Sequence, residues 1–160
     1  MKILVVGGNF AGATAALELK RKLKDTVEVT LIDRNENFVY IPSLIWVPIK
    51  RREVSEIIIP RKQVLEKKGV KFVLDTAIKV EPDENKVYCE NGTYEYDHLI
   101  IATGPKVNFD IAPGIKENAC YIGTPPGAMH TREKLEEFKQ NPGAIVIGAT
   151  QNAGCMGAAY

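Results

Sequence analysis

The residues best placed for chemistry near the start of the chain are a glycine-rich turn and an acid that follows it. The turn, residues 7–12, comes directly after the apolar run Lys2–Val6 and directly before an alanine-rich stretch. This order predicts a strand, a tight turn and a helix whose N-terminus offers partial positive charge and N–H groups to a pyrophosphate. Asp33, at the end of the next predicted strand, would accept hydrogen bonds from ribose hydroxyls and disfavour a 2′-phosphate. The unit therefore predicts a dinucleotide site; the alternative is a plain strand–turn–helix with no ligand.

One position departs from the usual glycine pattern. Gly7 permits the tight turn and Gly12 lets the helix approach the strand, but Asn9 replaces the middle glycine of G-x-G-x-x-G. Asparagine is the non-glycine residue that best tolerates positive φ, so we expect the turn to keep its shape.

The three cysteines have different surroundings. Residues 144–160 nearly repeat residues 3–16, and Cys155 falls where the helix of this second copy should begin. A helix N-terminus favours the reactive thiolate, although a small residue filling a helix–sheet contact is the alternative. Cys120 lies in an irregular stretch, and Cys89 lies in a short alternating run typical of a core strand. No C-x-x-C spacing occurs, so we expect neither a zinc site nor a disulfide framework, and no metal.

These groups must be positioned by an α/β fold. Apolar runs at residues 2–6, 27–32, 70–74 and 97–105 predict a buried parallel sheet, with helices at 13–23, 61–68 and 131–138. Short alternating runs with Asn-Gly and Asp-Glu-Asn turns predict an antiparallel β-meander inserted at about residues 76–97. The predicted fold is thus a Rossmann-like nucleotide-binding domain that ends at the start of a second dinucleotide-type βα unit, whose strand would be 144–147.

Composition excludes several classes of protein. The 160 residues are enough for one domain or a little more, and the net charge of +1 gives no support for nucleic-acid binding. No signal peptide or transmembrane-length apolar run is apparent, so we expect an intracellular protein. Because the chain stops inside the predicted second helix, we also expect it to be part of a longer protein.

Taken together, these features resemble a known family. The residues that carry the resemblance are 7–12, Asp33, 38–44, 96–105, and 148 through Cys155 to 160. They are similar to the FAD-dependent pyridine nucleotide-disulfide oxidoreductase superfamily and, within it, to the first part of sulfide:quinone oxidoreductases. The glycine turn and Ala102-Thr103-Gly104 are common to the superfamily, whereas the Pro42 loop and the cysteine in the second turn are more specific.

The resemblance implies a site for FAD. The pyrophosphate and ribose would lie on the glycine turn and Asp33, the adenine would lie near Arg34 and Ile78, and the flavin ring would lie near Pro42 and the end of the last strand. The implied cofactor-binding residues are Gly7, Gly8, Asn9, Phe10, Ala11, Gly12, Asp33, Arg34, Pro42, Ile78, Ala102, Thr103 and Gly104. Residues 1–110 would then form the FAD-binding domain, and residues 111–160 a connector and the start of a truncated second domain.

The resemblance also implies the chemistry. In the family, a cysteine pair beside the flavin oxidises sulfide to sulfur or polysulfide, and the electrons pass through flavin to a membrane quinone. Cys155 matches one of that pair, and Cys120 matches a cysteine that is sometimes linked to the flavin. The partner cysteine and the membrane-contacting segment would lie outside this chain. We therefore expect the isolated chain to be inactive, and the complete protein to be a cytoplasmic, peripheral membrane enzyme and a candidate homo-oligomer.

Three alternatives stay open at this stage. Pro125-Pro126-Gly127 is similar to the flavin subunit of flavocytochrome c sulfide dehydrogenases, which would change the electron acceptor. A type II NADH dehydrogenase would need a second glycine turn that binds NADH, but residues 148–154 have a different spacing and precede a cysteine. A non-catalytic nucleotide-binding module would fold alone and leave its cysteines unreactive.

Overall fold

The computed structural model describes residues 1–148. Its strands are β1 (Lys2–Val6), β2 (Glu28–Asp33), β3 (Asn37–Val39), β4 (Ile58–Pro60), β5 (Lys71–Leu74), β6 (Ala77–Glu81), β7 (Lys86–Cys89), β8 (Thr93–Glu95) and β9 (His98–Ile101). Its α-helices are α1 (Phe10–Leu23), α2 (Arg61–Glu66), α3 (Ile115–Asn118) and α4 (Pro125–Gln140). Short 3₁₀ helices occupy Lys24–Thr26, Ile41–Trp46, Val54–Ile57, Pro82–Glu84 and Phe109–Ile111.

The chain divides into two compact units. The first unit is formed by Met1–Val39 with Ile59–Pro105, and the second, among the described residues, by Tyr40–Ile58 with residues 106–148. This division differs from a single boundary near residue 110, because the apolar loop at 40–58 groups with the later part of the chain. The assignment of residues 1–110 and 111–160 to functional domains stays a prediction.

The first unit is built on a parallel sheet with strand order β5-β2-β1-β9. β1 pairs with β2 from Lys2–Glu28 to Val6–Ile32, and with β9 from Ile3–His98 to Val6–Ile101. β1 is therefore central and buried on both faces, which is why it reads as a continuous apolar run. The predicted Rossmann-like sheet is confirmed.

One face of this sheet packs against helices. The core on this side contains β-branched and aliphatic residues from the strands together with Ala16 of α1 and Leu65 of α2; its buried members are Ile3, Val5, Ala16, Val27, Val29, Leu31, Leu65, Val70 and Phe72. Ala16 is fully buried, so the alanines of α1 let the helix lie close to the sheet.

The other face of the sheet packs against the predicted antiparallel meander. β7 pairs with β6 and β8, and Val87 and Cys89 point into a core with Leu4, Val6 and Ile32. Asn85 closes the β6–β7 turn at φ 53°, a conformation that asparagine tolerates. The expectation that Cys89 is a core residue agrees with its burial.

A buried carboxylate at the start of the meander connects it with the β7–β8 turn and with β8. Asp75 is 4% exposed and accepts hydrogen bonds from the backbone of Thr76, the backbone and side chain of Asn91, and the hydroxyl of Tyr94. Desolvation opposes its ionisation, but these hydrogen bonds together outweigh that effect and lower the pKa of Asp75.

In the second unit, helix α4 begins earlier than the sequence predicts. We expected an irregular chain as far as residue 127 and a helix at 131–138, whereas the helix starts at Pro125. Thr124 is its N-cap and accepts a hydrogen bond from the Gly127 amide at 3.2 Å. Proline at the first helical position is compatible with this start, because its missing N–H has no intrahelical partner there.

The strand predicted at residues 144–147 is not formed. The structure has no regular element there, and the side chain of Val146 is 94% exposed. A parallel strand is stable only when a neighbouring strand pairs with it, and no strand in residues 1–148 does so. The glycine turn after Gly148 and the helix that would carry Cys155 lie outside the described residues.

Candidate functional site

The glycine turn lies where β1 meets the end of β9. Gly7 has φ +94°, and its N–H donates to the Ile32 carbonyl oxygen at 2.8 Å. A Cβ on Gly7 would overlap the carbonyl oxygen of Ala102, which follows β9 and donates its own N–H to Val6 at 2.7 Å. Only glycine combines this dihedral angle with this close approach.

The helix after the turn also approaches the backbone without an intervening side chain. A Cβ on Gly12, in the first turn of α1, would overlap the carbonyl oxygen of Gly7. A Cβ on Gly8 would lie 2.6 Å from Leu31 Cδ2 and 3.1 Å from Arg61 Nε. The turn is therefore a narrow backbone cradle whose walls are strand ends and helix backbone.

The N-terminus of α1 receives no side-chain cap. Asn9 is the N-cap residue, and its carbonyl oxygen accepts the first intrahelical hydrogen bond from Ala13 at 2.9 Å. Its Oδ1 is buried without a hydrogen-bond partner in the described structure. Its φ of −83° corrects our reason for accepting Asn9, because the position does not need positive φ. The extended backbone at this position accommodates any side chain that fits the space.

Asp33 lies at the opposite side of this turn. Its Oδ2 accepts a hydrogen bond from the Gly8 amide at 2.6 Å, and its Oδ1 accepts one from the Asn35 amide at 2.7 Å. Its side chain is 11% exposed, so the carboxylate remains in reach of solvent. The predicted pair of features, glycine turn and acid, is thus brought into direct contact.

Arg61 is part of this cluster, and the sequence analysis did not identify it. Its Nη1 lies 3.2 Å from Asp33 Oδ2, and the side chain is 4% exposed. A signal was available, because an arginine at the first position of a helix opposes the helix dipole and implies a nearby acid. The sequence contains many acids, so this signal alone would not have selected Asp33.

The end of β9 places three further predicted residues at the same sheet edge as Gly7. Ala102 contacts the turn as described, and Thr103 and Gly104, which follow it, are exposed. Gly104 has φ +73° and open space around its Cβ position. The carboxyl edge of an open parallel sheet is where such folds bind ligands.

The remaining predicted residues are more scattered. Arg34 is exposed directly after Asp33, and Ile78 is 67% exposed on β6, both in the first unit. Phe10 packs edge-to-face against Phe38 at 4.9 Å between ring centroids. Pro42 and Cys120 are exposed in the second unit. Cys155 lies outside the described residues.

Metal-ligand clusters and membrane-spanning helices are both absent from residues 1–148. Residues 1–148 contain no group of three or more His, Cys, Asp or Glu side chains arranged to hold a metal ion. Within those residues, no helix combines the length and apolar character needed to cross a bilayer.

Comparison with known proteins places these features in a family. The model of the pyridine nucleotide-disulphide oxidoreductase family matches residues 1–155. The sulfide-quinone reductase of Aquifex aeolicus is 36% identical over 159 residues, which is 99% of this chain and 36% of that protein. The crystal structure of the Aquifex aeolicus sulfide:quinone oxidoreductase superposes with a TM-score of 0.93, covering 99% of this chain and 37% of that one.

A second class of relative is more distant. The type II NADH:quinone oxidoreductase of Staphylococcus aureus is 29% identical over 137 residues, covering 85% of this chain and 34% of that protein. The chain thus spans about a third of the length of the curated relatives it matches. Because the family model matches residues 1–155, and because the chain has the parallel sheet and glycine turn described above, the chain belongs to the pyridine nucleotide-disulphide oxidoreductase family.

Proposed function

We propose that this chain binds FAD at its glycine turn and forms the cofactor-binding part of a sulfide:quinone oxidoreductase. The observation that carries the proposal is the match to the Aquifex aeolicus enzyme, which extends over 99% of the chain in both sequence and structure. The more distant NADH:quinone oxidoreductases share less sequence and cover less of the chain.

The described residues fit a cofactor that contains a pyrophosphate. The Cβ-free cradle allows close approach to the backbone, and the uncapped N-terminus of α1 favours an anion. Asp33 retains exposed carboxylate surface for ribose hydroxyls. In this proposal residues 7–12 hold the pyrophosphate, Asp33 binds the ribose, and residues 102–104 border the flavin end. Arg34 and Ile78 would contact the adenine, and Pro42 the flavin ring.

Flavin supplies two-electron redox chemistry between a sulfur donor and a quinone. Within this chain, we assign the sulfur chemistry to Cys155, whose thiolate would attack sulfur as a nucleophile. A second thiol is needed to complete a disulfide cycle. It would come from a part of the complete protein that corresponds to the region of the relatives beyond their match to this chain. Cys120 is assigned as a candidate attachment point for flavin. We further propose that the complete protein takes sulfide and quinone as substrates. It would lie in the cytoplasm, peripheral to the membrane, and would form a homo-oligomer.

The cofactor is tested by the visible absorption spectrum of the purified protein before and after acid precipitation. Flavin bands are expected, and colour retained in the pellet would identify a covalent link, to be mapped to Cys120 by peptide mass spectrometry. A colourless protein that also fails to take up added FAD would overturn the proposal and favour a nucleotide-binding module of another kind.

The donor is tested by anaerobic reduction of the bound flavin with sulfide and, separately, with NADH. In the complete protein, which supplies the second thiol, we expect sulfide to bleach the flavin and Cys155→Ser to lose this reaction while FAD stays bound. Bleaching by NADH alone would favour the type II NADH dehydrogenase class, which the Staphylococcus aureus relative represents. Reduction of cytochrome c in place of quinone would favour the flavocytochrome c class.

A further inference from the structure

Arg61 is a buried cation that connects the glycine turn with the loop after β2. Its Nη1 donates to the Asn35 carbonyl oxygen at 2.5 Å, and its Nη2 donates to the Asn37 carbonyl oxygen at 3.0 Å. The same Nη1 forms the ion pair with Asp33, and the guanidinium lies 5.7 Å from the Phe72 ring centroid. A buried charge is retained only where partners compensate it, and Asp33 is the partner with opposite charge.

The contacts of Asp33 account for most of its hydrogen-bonding capacity. Oδ2 receives the Gly8 amide and faces Arg61, while Oδ1 receives the Asn35 amide. A carboxylate has about four lone-pair sites, so roughly one site remains, and it lies on Oδ1. The carboxylate cannot rotate to present Oδ2 without losing both the Gly8 hydrogen bond and the ion pair.

In this arrangement one hydrogen-bond donor of Arg61 is left without an acceptor. Arg61 Nε is buried without a hydrogen-bond partner, on the side of the side chain that faces Gly8. An unsatisfied buried donor is destabilising. The guanidinium is therefore oriented for its Nη contacts with Asp33 and the loop, and this orientation leaves Nε unpaired.

We infer that Arg61 is a positioning residue for the ribose site: it holds Asp33 with Oδ2 against the glycine turn and Oδ1 directed to the ligand. The inference rests on the proposed binding of FAD. Arg61 acts through Asp33 and does not itself touch the cofactor. Without it, the carboxylate would lose its compensating charge and turn toward solvent, and the Gly8 amide would lose its acceptor.

The first test is a double-mutant cycle on FAD affinity, measured by titrating FAD into cofactor-free protein and following flavin fluorescence. Arg61→Met should weaken FAD binding by about tenfold to a hundredfold, the range expected when a charge-assisted contact is lost. Arg61→Lys keeps the charge but not the two-pronged geometry, so it should recover part of the affinity. In an Asp33→Asn background, Arg61→Met should cause no further loss.

Arg132 provides a matched control in the second unit. It is also largely buried, pairs with a carboxylate and donates to two carbonyl oxygens. Arg132→Met should leave FAD affinity within about twofold of wild type, since it removes a comparable tie elsewhere. If Arg61→Met and Arg61→Lys both bind FAD as wild type does, or if the losses at Arg61 and Asp33 multiply, the positioning role is overturned.

The second test needs no cofactor, and it separates this inference from the proposed function. The Gly8 amide resonance of the FAD-free protein reports its hydrogen bond to Asp33. Arg61→Met should shift it and speed its hydrogen exchange, Arg61→Lys should shift it less, and Arg132→Met should leave it unchanged. An unmoved Gly8 amide in Arg61→Met would overturn the role of Arg61, whereas a wild-type protein that binds no FAD would overturn the proposed function itself.

Discussion

Two arginines, one in each unit, make similar sets of contacts in different surroundings. Arg61 and Arg132 each pair with a carboxylate and donate to two backbone carbonyl oxygens. All three nitrogens of Arg132 have partners, and its carboxylate, Glu53, is 56% exposed. Arg61 has an unpartnered Nε, and its carboxylate, Asp33, is 11% exposed and shared with the glycine turn.

We interpret this as the difference between a purely structural ion pair, at Arg132, and an ion pair beside the proposed ligand site, at Arg61. The Arg132 cluster satisfies its own groups and leaves nothing for a ligand to complete. The cluster around Arg61 leaves a donor unmet and one acceptor site open beside a backbone cradle. Local strain and incomplete pairing of this kind are characteristic of binding sites.

Removing the carboxylate partner should give the largest difference in stability loss between the Arg61 and Arg132 clusters. Asp33→Ala leaves Arg61 buried and uncompensated, so the free energy of unfolding should fall by about 3–5 kcal/mol. Glu53→Ala removes a largely exposed partner together with the N-cap of Val54–Ile57, and the loss should be about 1–2 kcal/mol. Urea unfolding followed by circular dichroism measures both. Equal losses would mean that the two arginines are equivalent structural ties.

The cysteines should show the next largest contrast, in reactivity. Burial, and to a lesser extent the negative charge of Asp75, raise the pKa of Cys89 to about 11, whereas Cys120 is exposed. At pH 8 only about 0.1% of a thiol with that pKa is ionised, so Cys89 should be alkylated by iodoacetamide at least about a hundred times more slowly than Cys120. Peptide mass spectrometry distinguishes the sites. In guanidinium chloride, where both thiols are exposed, the two cysteines should react at similar rates, which provides the reference. Similar rates for Cys89 and Cys120 in the native protein would contradict the prediction.

Glycine substitutions compare the crowded turn with an open one. Gly7→Ala forces a side chain into positive φ and against the Ala102 carbonyl oxygen, so it should lower the free energy of unfolding by about 1–3 kcal/mol. Gly143→Ala, in the second unit, meets no atom within 4 Å and should change stability by less than about 0.5 kcal/mol. Thermal unfolding checks both. A neutral Gly7→Ala would show that the turn relaxes to accept a side chain.

The smallest expected effect is on the pH dependence of the free energy of unfolding, through the carboxylate of Asp75. The pKa of Asp75 is lowered below its ordinary value of 3.8, so its contribution is present above that pH and is lost as the pH falls through the folded-state pKa. The stability difference between wild type and Asp75→Asn should therefore be widest near neutral pH and shrink below about pH 3.8. A difference that stays constant down to pH 2 would exclude a contribution from Asp75 ionisation.

Glu136 in the second unit is the control for that experiment. The side-chain hydrogen bond from Lys139, and then that from Lys50, lower the pKa of Glu136, but the group is 41% exposed. The effect of Glu136→Gln should therefore weaken when salt is added, whereas the effect of Asp75→Asn should persist, because buried groups are screened less.

Local patterns were sufficient to predict much of the first unit. β1, α1, β2 and the meander have short-range signals, namely apolar runs, a glycine turn and an Asn-Gly pair, and each formed near its predicted place. The glycine turn and Asp33 were predicted to bind one ligand; the structure brings them into contact, and their role in binding stays a prediction. These features depend on neighbours in the chain, so a single sequence contains them.

Two of the three features that were missed, Arg61 and the strand at residues 144–147, depend on distant partners, whereas the third, the start of helix α4, is local. The importance of Arg61 comes from its ion pair with Asp33, and the sequence between the two residues gives no indication that they pair. Helix α4 begins at Pro125 because Thr124 caps it, a local signal that the two prolines and the glycine obscured. The strand expected at residues 144–147 needs a neighbouring strand, and an apolar run alone cannot supply one.

The pairing of β1 with β9 has a consequence for how the chain is made. β1 leaves the ribosome well before one of its two neighbours in the sheet, His98–Ile101, which is synthesised almost a hundred residues later. Until then an edge of β1 remains open, and exposed strand edges pair readily with other chains. While the residues between β1 and β9 are being made, the open edge of β1 is therefore a site that a ribosome-bound chaperone would protect.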